Sequence, residues 1–239
     1  MIAQGGKAIS GASVGILMLD THIPRIPGDV GNATTWPFPV HYKIVRGASP
    51  ERVVLQNSDG LRDTFIEAAL ELVADGVDGI STTCGFLSLM QSDLKAAVPV
   101  PVAASSLMQI PLIAATLPRG KHVSVLTISA ESLTSEHLQA ANADLATPVE
   151  GMPPDCEFAS KILSNSTAMD IEQCRADLLK AGQALIEKHP QTGAIVLECT
   201  NMVPYAPDMQ RLLGIPVYSI YSFILWFQAG LLPRRFPLD

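Results

Sequence analysis

The chain contains a weak copy of itself, and this internal repeat restricts the fold more than any other feature of the sequence. In the first half, the segment GVDGISTTC ends at Cys84 and PVAAS begins at Pro101. In the second half, TGAIVLEC ends at Cys199 and PVYSI begins at Pro216. Both intervals span 17 residues, and corresponding positions are 115 residues apart. An ordered match of this kind predicts two structurally similar halves.

Short apolar runs alternate with helical patterns along both halves. Residues 61–75 place apolar side chains on one face of a helix, and residues 168–188 predict a second long helix. Shorter helices are predicted at 86–97 and 132–143. The predicted strands are Val14–Leu19, Val77–Thr83, Val100–Ala104, Val123–Thr127, Ala194–Glu198 and Val217–Ile220. We therefore expect an α/β fold with two pseudosymmetric halves, each a parallel sheet covered by helices, and an active site in the cleft between them.

Two stretches break this alternation. Residues 24–39 contain four prolines together with Trp36 and Phe38, which predicts a long structured loop. Loops of this length in compact domains are often functional. Residues 147–160 contain three prolines and predict a second irregular stretch.

Composition and charge narrow the class of protein. The 239 residues carry a formal net charge of −7 without a basic run, so we expect no nucleic-acid partner. Two stretches without Asp, Glu, Lys, Arg or His, 96–118 and 212–233, are long enough for a membrane span. Prolines in the first and polar residues in the second favour buried core instead. With no secretory signal pattern and no paired cysteine spacing, we expect a cytoplasmic protein outside the membrane. The apolar C-terminal stretch is compatible with a homodimer.

Cys84 and Cys199 each end a predicted strand where a helix begins. Ligands of parallel α/β sheets bind at the carboxyl ends of strands, so both thiols are expected to face one cleft. One thiolate could remove a proton from carbon while the opposing thiol delivers a proton to the other face. The alternative is that both cysteines are small buried apolar residues. Cys156 and Cys174 have no counterpart in the repeat, and we expect them to be structural.

Hydroxyl groups near the same strand ends are candidates for binding substrate. Thr83 and Thr200 flank the two cysteines, whereas Thr127 and Ser132 follow the strand of the second half. Hydroxyl and backbone N–H groups at a helix start can hold a carboxylate. The histidines and cysteines have no metal-ligand spacing, and no nucleotide-binding glycine motif follows a strand, so we expect neither a metal nor a cofactor.

The motifs Thr82-Thr83-Cys84-Gly85-Phe86 and Leu197-Glu198-Cys199-Thr200-Asn201 resemble those of the aspartate/glutamate/hydantoin racemase superfamily. The resemblance covers nearly the whole chain in the order of its elements. It implies cofactor-independent proton transfer at carbon next to a carboxylate or carbonyl. It also implies a first half formed by residues 1–108 and 217–239 and a second half formed by residues 109–216. The site residues that it adds are Asp20, Gly85 and Asn201.

The resemblance has departures that bear on specificity. Glutamate racemases usually have Asn-Thr after the first cysteine and Thr-His after the second, whereas this chain has Gly85-Phe86 and Thr200-Asn201. We expect a racemase or epimerase in which Cys84 and Cys199 act on a small carboxylate-bearing, amino-acid-like or hydantoin-like substrate. The alternatives are a diacid cis-trans isomerase, a malonate-type decarboxylase, or a non-catalytic carboxylate binder.

Overall fold

Two four-stranded parallel sheets form the framework of the computed structural model, which describes residues 5–236. The first sheet contains β1 (Val14–Leu19), β2 (Val40–Val45), β3 (Gly79–Thr82) and β4 (Val102–Ala103) in the order β2-β1-β3-β4. The second contains β5 (His122–Thr127), β6 (Val149–Gly151), β7 (Thr192–Leu197) and β8 (Val217–Tyr218) in the order β6-β5-β7-β8. The strand orders are equivalent, so the predicted fold of two similar α/β halves is confirmed.

Helices connect the strands and cover the sheets. The α-helices are α1 (Arg62–Asp75), α2 (Gln91–Ala97), α3 (Ile110–Ala114), α4 (Ser135–Ala140), α5 (Glu157–Leu163), α6 (Ile171–Lys188), α7 (Ala206–Leu213) and α8 (Ile220–Leu231). Short 3-10 helices span Ala33–Thr35, Gly85–Met90, Ser106–Gln109 and Thr200–Tyr205, and a π-helical turn spans Glu51–Leu55. None of the helices within residues 5–236 combines the length and apolar character that a membrane crossing needs.

The repeat is most regular around the two cysteines. The 3-10 helices that begin at Gly85 and Thr200 are 115 positions apart, and so are the starts of α2 and α7 and of β4 and β8. In each half, therefore, the cysteine lies two residues after the end of a buried strand and is followed by a 3-10 helix and then an α-helix. This geometry places equivalent backbone N–H groups next to both thiols.

The structure contains two strands that the sequence patterns did not predict, β2 and β6. β2 is an edge strand whose side chains are mostly half-buried, so its residues lack a continuous apolar signal. β6 has three half-buried residues, and both β6 and the start of α5 lie within residues 147–160. The helix predicted at 132–143 is confined to α4, because the Thr134 side chain caps its first turn together with His137.

The chain crosses between the halves twice. Near the first crossing, the Ser106 hydroxyl donates to the carbonyl oxygens of Leu197 (2.9 Å) and Glu198 (3.2 Å). The return was expected at residue 217, but β8 pairs with β7 and so belongs to the second sheet. The chain returns at Ser219, after which α8 packs against Val14 and other residues of the first half.

Candidate active site

Both repeat cysteines line a single pocket between the halves. Cys84 follows β3 and Cys199 follows β7, and their residues are 8% and 7% exposed. The pocket is narrow: its water-accessible cavity is about 20 Å³, within about 380 Å³ of space that also includes open solvent. Its lining residues are Leu19, Thr21, Arg25, Pro50, Val54, Thr83, Cys84, Phe86, Ile128, Ile162, Glu198, Cys199, Thr200 and Asn201. The predicted meeting of the two thiols at one cleft is thus present in the structure.

Thr83 and Thr200 connect the strand ends that hold the cysteines. The Thr83 hydroxyl accepts a hydrogen bond from the backbone N–H of Leu19 (3.0 Å). The Thr200 hydroxyl donates to the carbonyl oxygen of Thr83 (2.7 Å), which ties the second half to the first. Both threonines line the pocket, but their hydroxyl groups are already engaged with the backbone.

A polar network reaches the Cys199 thiol from the long loop of the first half. The Asn201 amide donates through Nδ2 to Asp29 Oδ2 (2.7 Å), and its Oδ1 atom faces Cys199 Sγ at 3.7 Å. The Arg25 guanidinium pairs with Asp29 Oδ1 (2.8 Å) and donates to the Thr21 hydroxyl. Because Asp29 fixes the orientation of the amide, the Asn201 oxygen is the atom presented to the thiol. Residues 24–39 therefore contribute directly to the site.

Glu198 places a carboxyl group within this largely apolar pocket. The residue is only 1% exposed, and the Thr127 hydroxyl donates to its Oε2 atom (2.7 Å). Within the described residues, Oε1 has no hydrogen-bond partner of acceptable geometry. Burial raises the pKa of Glu198 to about 7, although the Thr127 hydroxyl and nearby backbone N–H groups oppose the shift. Near neutral pH the carboxyl is therefore poised between its neutral and charged forms.

Burial dominates the titration of both thiols. It raises the pKa of Cys84 far above its ordinary value, and the Glu198 charge adds to the effect. The N–H groups of Phe86 and Leu87 act in the opposite direction. The pKa of Cys199 is also raised by burial and by Glu198, with the Asn201 N–H opposing. Both cysteines are therefore thiols in the resting pocket at neutral pH, and a nearby positive charge would favour a thiolate.

Four predicted site residues do not line this pocket. The Asp20 carboxylate instead accepts from the Gly47 N–H (3.1 Å) and pairs with Arg46 (3.2 Å), because its side chain turns toward the loop after β2. Ser132 accepts a hydrogen bond from Ser129 (2.9 Å) in a neighbouring groove. Thr127 and Gly85 contact Glu198 instead of forming part of the lining.

Some residues at or next to the pocket have few features in the sequence that would predict a role in the site. Glu198 is a charged residue at the end of an otherwise apolar strand, directly before a cysteine, and that position is its main signal. Arg25 and Asp29 lie in the long loop far from both motifs, and only the fold brings Asp29 to Asn201. Cys156 and Cys174 are free cysteines outside the lining of this pocket.

Gly85 lacks a side chain because the backbone and side chain of Glu198 occupy the adjacent space. A Cβ atom there would lie 2.6 Å from the Glu198 carbonyl oxygen, and this backbone atom cannot easily move. We expect Gly85→Ala to lower the free energy of unfolding by about 1–3 kcal/mol through overpacking. Urea denaturation measures the change.

Gly230→Ala is the matched control for this substitution. Gly230 lies in α8, and an added Cβ atom would have no heavy atom within 4 Å. We expect this change to leave stability unaltered or raise it by up to about 1 kcal/mol, because alanine favours a helix. Equal effects of the two substitutions would contradict the close contact at Gly85.

The chain was compared with protein families, curated proteins and solved structures, and no family model matches it. It is 29% identical to a dimethylsulfoniopropionate lyase of Durusdinium sp. clade D, covering 97% of this chain and 79% of that protein. It is 27% identical to dimethylsulfoniopropionate lyase 6 of Emiliania huxleyi, covering 87% of this chain but only 56% of that protein. The residue pattern predicts a racemase or epimerase first and includes one lyase, a malonate-type decarboxylase, among its alternatives; it does not predict a lyase of a sulfonium compound.

Solved structures with the same fold have other activities in their names. The Gly74Cys mutant of arylmalonate decarboxylase superposes with a TM-score of 0.58 at 16% identity, covering 91% of this chain and 92% of that one. Glutamate racemase RacE1 from Bacillus anthracis superposes with a TM-score of 0.55 at 16% identity, covering 93% and 85%. The chain thus has the fold of aspartate/glutamate racemase-like proteins and is similar in sequence to dimethylsulfoniopropionate lyases.

Proposed function

We propose that the protein is a lyase that removes a proton from the carbon next to a carboxylate and expels a leaving group from the following carbon. Dimethylsulfoniopropionate, the substrate in the names of its sequence relatives, is the proposed substrate. The observation that carries the proposal is the pair of buried cysteines in one small pocket, in a chain similar to lyases. Thiols next to backbone N–H groups are suitable acid–base groups once a positive charge is present.

The elimination of dimethyl sulfide needs one general base in the protein. Dimethylsulfoniopropionate has a carboxylate, two methylene groups and a dimethylsulfonium group. The base takes a proton from the methylene next to the carboxylate, and the C–H electron pair forms the new double bond. The bond between the other methylene carbon and sulfur breaks, and its electron pair leaves with sulfur. The products are acrylate, dimethyl sulfide and the protonated base.

We assign the base to Cys84. The N–H groups of Phe86 and Leu87 favour the charged form of its sulfur. The Cys199 thiol instead faces the Asn201 oxygen, an acceptor that favours the protonated form. A sulfonium group bound between these residues favours transfer of the Cys84 proton to solvent water, because opposite charges attract strongly in a poorly solvated pocket. The elimination then returns a proton to this sulfur, and a further transfer to water restores the thiolate for the next substrate.

Arg25 is the proposed partner of the substrate carboxylate. Its guanidinium lines the pocket mouth and is held by Asp29 and Thr21. A guanidinium has five N–H donors, so it can pair with a substrate carboxylate while keeping its contact with Asp29. Leu19, Ile128 and Ile162 line the same pocket, and their apolar side chains are the proposed contacts of the methylene and methyl groups.

A racemase or decarboxylase is the second candidate, favoured by the fold and by thiols contributed from both halves. All three reactions involve carbon next to a carboxylate, but they differ in what leaves and in where a proton is returned. Racemisation in both directions requires Cys84 and Cys199 each to act as the base for one enantiomer and as the acid for the other. The different surroundings of the two thiols favour a single direction of proton transfer, which argues against the racemase, whereas the similarity in sequence to dimethylsulfoniopropionate lyases favours the elimination over decarboxylation.

Product analysis distinguishes these candidates. The purified protein would be incubated with dimethylsulfoniopropionate, with headspace gas chromatography for dimethyl sulfide and proton NMR for acrylate. Equimolar release of both products is the expected result. Parallel incubations in heavy water would contain glutamate, aspartate or an arylmalonate. Exchange of the α-proton with loss of optical rotation, or release of CO2, without dimethyl sulfide from the first substrate would overturn the lyase proposal.

A further inference from the structure

The buried Glu198 carboxyl is not used in the elimination described above. Its Oε2 atom accepts from Thr127, whereas Oε1 has no hydrogen-bond partner of acceptable geometry within residues 5–236, although the backbone N–H groups of Gly85 and Phe86 lie near the carboxyl. The residue is 1% exposed and lines the pocket that contains both cysteines. Burying a carboxylate without a partner is costly, so an unsatisfied oxygen at such a position indicates a binding role.

The charges around the pocket identify the kind of group that Oε1 would accept. Arg25 is already neutralised by Asp29 at 2.8 Å. The two cysteines are neutral thiols at neutral pH, because burial raises the pKa of each. Once ionised, Glu198 therefore leaves an uncompensated negative charge. A second carboxylate on the ligand would be repelled, whereas a cation would be attracted.

The surroundings of Glu198 also favour a cation without hydrogen-bond donors. Phe86 supplies an aromatic side chain to the lining, and Ile128 and Ile162 supply aliphatic ones. Aromatic faces and carboxylates together bind methylated onium groups, whose charge is spread over apolar methyl groups.

We propose that Glu198 is the specificity-determining residue of this pocket and that it binds the onium group of a zwitterionic substrate. The substrate class is a short carboxylate with a sulfonium or quaternary ammonium group at the far end. This inference rests on the proposed function for the choice of sulfonium, but it concerns binding and not turnover. Glu198 holds the cation next to Cys84, and Arg25 holds the carboxylate at the pocket mouth.

Two ligands of matching shape test the charge preference directly. 3-(Trimethylammonio)propionate carries a quaternary nitrogen where 4,4-dimethylpentanoate carries a quaternary carbon, and neither has a sulfonium leaving group. Isothermal titration calorimetry at pH 8 would compare their Kd values. We expect the wild-type protein to bind the cationic ligand at least about 10-fold more tightly, as for a charge-assisted contact. We expect Glu198→Gln to remove this preference and to change the Kd of 4,4-dimethylpentanoate, which lacks the positive charge, less than about twofold.

Glu131→Gln is the matched control, because Glu131 is an exposed residue of the neighbouring groove. It is expected to keep the wild-type preference. Equal Kd values in the wild-type protein, or an unchanged preference in Glu198→Gln, would overturn the proposal. If Glu198→Gln does not fold, the wild-type protein at pH 6 replaces it. The titratable groups whose charge interacts with that of Glu198 are the thiols of Cys84 and Cys199, and both stay neutral between pH 6 and pH 8. Protonation of Glu198 itself should therefore sharply reduce the preference at pH 6, and an unchanged preference would overturn the proposal.

Failure of this inference can be distinguished from failure of the proposed function. A charge preference that depends on Glu198, without release of dimethyl sulfide, would keep the onium site and reject the lyase. Release of dimethyl sulfide without any charge preference would keep the lyase and reject the role of Glu198.

Discussion

Cys84→Ser is expected to lower kcat for dimethyl sulfide release by roughly 100- to 10,000-fold, the usual contribution of a general base. A serine hydroxyl is a far weaker acid than a thiol, so it cannot supply the anion that the elimination needs. Cys199→Ser is expected to cost only about 10-fold or less, because in the proposed mechanism this thiol supports the pocket and does not take the proton. Steady-state kinetics with gas-chromatographic detection measures both effects.

Cys156→Ser is the control for this pair, since Cys156 is a free cysteine outside the pocket lining. It is expected to retain wild-type activity. Circular dichroism and urea denaturation would verify that all three variants fold. Full activity in Cys84→Ser would reject its role as base. A larger loss in Cys199→Ser than in Cys84→Ser would reverse the roles assigned to the two thiols.

The second large effect is on how stability depends on pH. Burial raises the pKa of Glu198 from an ordinary value near 4.5 to about 7. Between these values the folded protein binds more protons than the unfolded chain, so this residue lowers stability as pH rises. Between these two pKa values, each added pH unit lowers the free energy of unfolding by about 1.4 kcal/mol. Glutamine has no charge to bury, so the variant escapes this loss. We therefore expect the free energy of unfolding of Glu198→Gln, minus that of the wild type, to rise by ~3 kcal/mol between pH 4.5 and 8.

Urea denaturation at a series of pH values measures this difference, and Glu150→Gln provides a control of opposite sign. Burial opposes the shift of Glu150, but hydrogen bonds from Lys188 and His189 lower its pKa. Its stabilising effect is therefore present at neutral pH and is lost as pH falls. The stability of Glu150→Gln relative to wild type should fall as pH rises. Parallel profiles for wild type and Glu198→Gln would contradict the raised pKa.

Local sequence patterns were sufficient to predict the elements that carry both cysteines. β7 ends in the apolar run of residues 194–197, and β3 is fully buried although it contains Ser81 and Thr82, because both faces of a central strand are covered. β2 and β6 gave no such signal, since edge strands are only partly buried. The repeat added what a single motif lacks, namely that the two strand ends are equivalent and face one cleft.

Side-chain direction within the site was not predictable from the sequence. Asp20 follows a strand as expected, but Arg46 and the Gly47 N–H turn its carboxylate away from the pocket. Glu198 precedes a predicted catalytic residue, yet its inward orientation depends on the hydrogen bond from Thr127 and on the lack of a side chain at Gly85, whose place the Glu198 side chain takes. Contacts of this kind join residues from distant segments, so spacing along the chain does not reveal them.

The two walls of the pocket are equivalent in backbone but differ in chemistry. At corresponding repeat positions, Thr83 opposes Glu198 and Phe86 opposes Asn201. A substrate without a stereocentre, such as dimethylsulfoniopropionate, carries two enantiotopic hydrogens on the carbon next to its carboxylate. With its charged ends fixed by Glu198 and Arg25, only one of these hydrogens points toward Cys84. The pocket would therefore distinguish the two enantiotopic hydrogens of an achiral substrate. A deuterium label at one of these positions would be wholly lost from the acrylate, and a label at the other would be wholly retained.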